Sequence, residues 1–132
     1  MTAPTFDMIG LVVSDLEASL AFYRRLGLDI PAAEPGAEHV EATLPGGLRI
    51  AWDPVATIHS FEPEWRAPQG SPSVSLAFRC ADPAAVDRVY AELLAAGAQP
   101  RHEPWDAPWA HRYAMLLDPD GNGIDLFAPL TG

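Results

Sequence analysis

Two tryptophans four residues apart bracket a carboxylate and a proline in Trp105-Asp106-Ala107-Pro108-Trp109. Indoles are costly to leave in water, and in a proline-bearing stretch they form rigid walls. Such a segment could stack on a flat ligand, pack its own loop down, or be covered by a partner chain; the residue types admit all three. Trp65 lies in another proline-rich stretch and faces the same choice, while Trp52 alternates with apolar neighbours and reads as core. Phe61 and Tyr113 extend the aromatic inventory, and Phe127 follows Leu126 in alternation, beside Asp125. Arg49 and Arg112 could anchor a polar group or serve as ordinary surface ion-pair partners.

Other reactive groups are sparse. No Ser-His-Asp or Cys-His arrangement is suggested, and there is no glycine-rich phosphate loop. The histidines are His39, His59, His102 and His111. His102 or His111 could reach a ligand from a loop, although a lone loop histidine is more often only solvated. The single cysteine, Cys80, excludes an internal disulfide and ends a strand-like run, where it reads as a small buried hydrophobe.

Composition narrows the classes further. With 48% hydrophobic and 20% charged residues, the 132-residue chain is globular and large enough to bury a core without staples. A net charge of -10 repels phosphate backbones, so nucleic acid is not an expected partner, whereas a cationic small molecule would be attracted; solubility alone also accounts for the charge. The start of the chain lacks a basic and apolar leader, and no stretch is long and apolar enough for a membrane helix, which makes the cytoplasm the default.

The elements that must position these residues repeat. Phe6 to Val13 reads as a strand; Ser14 then caps a helix, with Glu17 completing a capping box, Leu16, Leu20 and Tyr23 forming the apolar face and Gly27 stopping it. Leu28 to Glu38 reads as loop with room for a short edge strand. His39 to Leu44 and Leu48 to Trp52 read as a hairpin across Pro45-Gly46-Gly47. Regular pattern fails from Asp53 to Pro72. Ser73 to Cys80 then reads as a strand, Asp82 with Pro83 starts a second helix, and Gly97 ends it. Pro100 to Trp109 reads as loop, and Arg112 to Leu117 and Ile124 to Phe127 as a hairpin across Asp118-Pro119-Asp120-Gly121-Asn122-Gly123. The expectation is one α+β domain of two β-α-β-β-β modules, about 4–58 and 73–130, with a linker over 59–72 and curved sheets enclosing a ligand cavity.

The segments MIGLVVSDLEASLAFYRRLGL (8–28) and LLDPDGNGIDLFAP (116–129) resemble the vicinal oxygen chelate superfamily, which includes glyoxalases, bleomycin-resistance proteins and extradiol dioxygenases. The resemblance implies a homodimer, with cavities often completed by both subunits. It also implies a divalent metal held by His and Glu side chains at four strand positions. Those positions fall at Met8, near Ala51, at Ser75 and at Asp125. Strand alternation turns all four away from the helices. One carboxylate, a hydroxyl and a thioether make a poor site, so neither metal nor other cofactor is expected.

The expected function is therefore a small-molecule binding protein of the bleomycin-resistance type, which sequesters an aromatic or cationic antibiotic or natural product in a tryptophan-lined cavity. The expected ligand contacts join the four strand positions to Arg49, Phe61, Trp65, Trp105, Trp109, His111, Tyr113 and Phe127. The alternative is a glyoxalase-like lyase or isomerase, or a dioxygenase-related enzyme, with Asp125 as base or residual metal ligand. A third reading is an accessory domain with a vestigial cavity.

Overall fold

Both long helices begin at an aspartate whose extended backbone lets its side chain turn back onto the first turn. Asp15 Oδ1 accepts from Ala18 N at 3.1 Å and Asp82 Oδ1 from Ala85 N at 2.8 Å. The first cap is thus Asp15, one residue beyond the expected Ser14, because the helix needs the oxygen three residues before the free amide. Gly27 and Gly97, at φ +96° and +101°, follow the two helices in the left-handed conformation that favours glycine.

The computed structural model describes residues 2–130, which fall into two compact units divided between Pro68 and Gln69. Among the described residues the fold is α+β, with seven strands in two sheets and three helices in the β-α-β-β-β manner.

The first unit runs β1 (Met8–Val13), α1 (Leu16–Arg25), β2 (Val40–Thr43), β3 (Arg49–Pro54) and α2 (Val55–His59). Its sheet has the order β1-β3-β2, with β1 parallel and β2 antiparallel to β3. Leu11, Val13, Val40, Ala42, Ile50 and Trp52 are buried, as are Leu20, Phe22 and Tyr23 of α1. The Tyr23 ring meets Trp52 edge-on at 5.6 Å, which fixes Trp52 in the core. The stretch 28–38 is loop, with no edge strand in it, since Pro31 and Pro35 remove ladder donors. One expectation changes here. The irregular stretch after Trp52 contains α2, a single turn and a half too short to show a helical period.

The second unit carries the full pattern: β4 (Ser75–Arg79), α3 (Pro83–Ala95), β5 (Gln99–Ala107), β6 (His111–Leu117) and β7 (Gly123–Pro129), in sheet order β4-β7-β6-β5. β4 lies parallel to β7, and the other pairs are antiparallel. Pro100 to Ala107 is strand, not the loop expected from its prolines. β5 is an edge strand, where a missing N–H is tolerated, and its register shifts twice, between Pro100 and His102 and between His102 and Trp105. α3 packs on β5, β6 and β7, and Ala114, Leu116, Ile124, Leu126 and Ala128 are buried.

The β6–β7 turn is tied by Asp118, whose Oδ1 accepts from the backbone N–H of Asp120 and Asn122 at 2.9 Å each. Beyond it Gly123 pairs with Ser75, and a Cβ there would lie 2.3 Å from Ser75 Oγ and 2.9 Å from the Val74 carbonyl oxygen. Gly123→Ala is expected to lower stability by about 1–3 kcal/mol through overpacking. Urea unfolding checks this, and a midpoint equal to that of the unchanged protein would refute it.

Candidate functional site

Strand alternation divides each sheet into a face turned to its helices and an open face. In the first unit the open face carries Met8, Arg49 and Ala51, with Met8 opposite Arg49 and Ala51 between Gly10 and Glu41. Met8 is exposed and Ala51 is buried. Arg49 is already committed: its guanidinium pairs with Asp7 and, at 2.8 Å, with Glu41. Glu41 in turn accepts from His39 Nε2 at 2.8 Å, and His39 Nδ1 lies 2.6 Å from Asp53. A ribbon of charge, Asp53-His39-Glu41-Arg49-Asp7, therefore crosses this face. The hydrogen bonds to Glu41 and Asp53 raise the His39 pKa above 6.5, and those from His39 and Arg49 lower that of Glu41.

His39 and Glu41 also border an open cleft of about 230 Å³ with Pro31, Ala33, Glu34 and Ala37. Both His39 nitrogens face carboxylates, so its polar floor has little left to give a ligand. Phe61 and Trp65 follow α2. Phe61 is exposed, whereas Trp65 packs on its own loop: its ring meets His59 edge-on at 6.3 Å and its carbonyl oxygen lies 3.0 Å from His59 Nε2.

The second unit gathers more of the expected residues. Tyr113 pairs with Trp105 across β5–β6 and with Phe127 across β6–β7, which puts the three on one face with Asp125. Trp105 meets Tyr113 edge-on at 5.5 Å, and Trp109, from the β5–β6 connection, meets Tyr113 at 5.3 Å and Trp105 at 6.0 Å. Phe127 lies parallel to Tyr113 at 6.4 Å, and His111 meets Phe127 edge-on at 5.5 Å. Ser75 is on the edge strand of the same face, opposite Gly123. His102 adds a contact that sequence reasoning left among loop histidines: its ring lies 3.8 Å from Trp105. Reading Pro100 to Ala107 as an edge strand would have placed it there. Arg112 points to the other face, held by Asp87 and Asp106 at 3.0 Å each.

Asp125 is the polar centre of this aromatic face. It is 8% exposed; one oxygen accepts from the Tyr113 hydroxyl, and the other, Oδ1, is buried with no hydrogen-bond partner among the described residues. Burial, then the bond to Asp125, pushes the Tyr113 pKa up to about 12, so the phenol keeps its proton and donates at neutral pH. Burial likewise raises the pKa of the half-buried Cys80 thiol, which weakens it as a nucleophile.

The residues do not fit the metal that the resemblance implies. Its four positions hold a thioether, a methyl, a hydroxyl and one carboxylate, and among the described residues no three His, Cys, Asp or Glu side chains are grouped to grip an ion. No helix among them is long and apolar enough to cross a membrane.

The His39 network makes a pH prediction. A raised folded-state pKa contributes stability that is complete below the unfolded value of 6.5 and is lost as pH rises through the folded pKa. Proton NMR should show the His39 ring titrating above 6.5, and Glu41→Gln should bring the midpoint down. A midpoint unmoved by that substitution would count against the network.

Known proteins agree with this architecture. No curated protein matches the sequence. A crystal structure of a glyoxalase/bleomycin resistance protein/dioxygenase from Nocardioides is similar at 28% identity and a TM-score of 0.74, covering 100% of this chain and 87% of that one. Lactoylglutathione lyase from Agrobacterium tumefaciens shares the fold at 21% identity and a TM-score of 0.65, covering 96% and 95%. A fosfomycin resistance protein from Listeria monocytogenes, complexed with Mn(II) and a dihydroxypropylphosphonic acid, shares it at 18% identity and a TM-score of 0.70, covering 99% and 94%. The family model matches residues 5–126, and the chain belongs to the Glyoxalase/Bleomycin resistance protein/Dioxygenase superfamily.

Proposed function

We propose that the protein binds a flat aromatic small molecule on the open face of its second sheet and holds it without turnover, as a sequestering protein of the bleomycin-resistance type. The observation that carries this reading is the cluster of Trp105, Trp109, Tyr113 and Phe127 around one carboxylate, with Trp109 still 52% exposed. An indole held edge-on by two other rings, yet half open to solvent, is pre-organised to stack on a planar guest at little entropic cost. Ligand sites are mostly apolar with a few placed polar groups, and this face has that composition. The chemistry at Met8, Ala51 and Ser75 also favours capture over metal-assisted turnover.

The unpartnered Asp125 oxygen favours one other reading, in which Asp125 is a general base in a glyoxalase-like lyase or isomerase. The two separate on the fate of the ligand: a sequestered compound is recovered unchanged.

Titration of tryptophan fluorescence with a panel of planar aromatic antibiotics tests the proposal. One or more compounds should quench saturably at one equivalent per site and be recovered intact by mass spectrometry. Trp109→Ala should weaken binding by about 10-fold, the scale of one lost stacking contact. Conversion of a bound compound, or affinity indifferent to Trp109, would overturn the reading.

A further inference from the structure

Asp125 is an odd group to leave half-satisfied. It lies on β7, the strand flanked by β4 and β6, and its cross-strand neighbours are Ala77 and Met115, neither of which can donate a hydrogen bond to it. Tyr113 supplies one donor, to Oδ2. Oδ1 is buried without a partner, which is unfavourable for a carboxylate oxygen unless a donor arrives. Arg79, on the same face of β4 opposite Phe127, is exposed and leaves Oδ1 unpartnered. A lone carboxylate lacks the several oxygen or imidazole donors that a divalent ion demands. It does match one N–H of an organic cation, and the surrounding aromatic rings attract positive charge through their faces.

We infer that the ligand is an aromatic organic cation whose protonated amine, amidine or guanidine donates to Asp125 Oδ1 while its ring stacks on Trp105 and Trp109. This rests on the aromatic-face reading above and names the chemical class it selects. Tyr113 is then a positioning residue: by donating to Oδ2 it holds the carboxylate and leaves Oδ1 as the oxygen without a donor. The net charge of -10 adds long-range attraction for cations but gives no direction, whereas the Asp125 contact is short-ranged and survives salt.

The test is a matched pair of probes, aminomethylanthracene, an ammonium at pH 7, and neutral hydroxymethylanthracene, titrated into the full-length protein by fluorescence at low and high salt. The ammonium probe should bind about tenfold more tightly, the scale of one charge-assisted hydrogen bond. Asp125→Asn should erase that preference. Tyr113→Phe should reduce the preference, and it serves as the second variant where Asp125→Asn does not fold. Equal binding of the two probes by the unchanged protein, or a preference retained in full by either variant, overturns this assignment alone. No binding of either probe overturns it together with the aromatic-face reading.

Discussion

A carboxylate set in the middle of a sheet is the constraint around which the second unit is organised. β7 has a strand on each side and its residues from Gly123 to Leu126 are all buried, so Asp125 cannot turn to water as a surface aspartate would. Among the described residues Tyr113, one pair along on β6, is the hydrogen-bond donor that reaches it. That bond ties β6 to β7 through side chains as well as backbone, and it places the Tyr113 ring where Trp105, Trp109 and Phe127 converge. The aromatic wall and the carboxylate are thus one assembly. Loss of the Tyr113 hydroxyl would release the acid and leave both of its oxygens short of donors.

Much of this fold was legible because its signals are local. Asp82 with Pro83 marks a helix start, and Gly27 and Gly97 mark helix ends whose φ values only glycine adopts readily. Alternation assigned the faces correctly at Trp52, which is core, and at Asp125, which stands opposite the helix-facing Ile124 and Leu126. The failures share a cause. Prolines argue against strand when nothing is known of position, and only the sheet reveals that β5 lies at an edge where Pro100 and Pro104 cost no ladder bond to a further strand. Ser14 and Asp15 are both good caps, and helix phase decides between them.

The candidate site was legible in residue type more than in partnership. Trp105, Trp109, Tyr113, Phe127 and Asp125 share one face, whereas Arg49 is taken up by Asp7 and Glu41, Arg112 by Asp87 and Asp106, and Trp65 by His59. Long cationic side chains find partners that sequence spacing does not encode, since the pairs are set by register across strands. Glu41 and Arg49 sit eight residues apart and meet only because the β2–β3 hairpin brings them together. The strand positions that the resemblance implies for metal ligands, Met8, Ala51, Ser75 and Asp125, carry a thioether, a methyl, a hydroxyl and one carboxylate.

The most direct measurement is a crystal structure of the protein with aminomethylanthracene bound. The ring is expected against Trp105 and Trp109, with the ammonium about 2.7–3.1 Å from Asp125 Oδ1. A probe seated instead in the cleft beside His39 and Glu41, or an ordered divalent cation gripped by several side chains at Asp125, would contradict it.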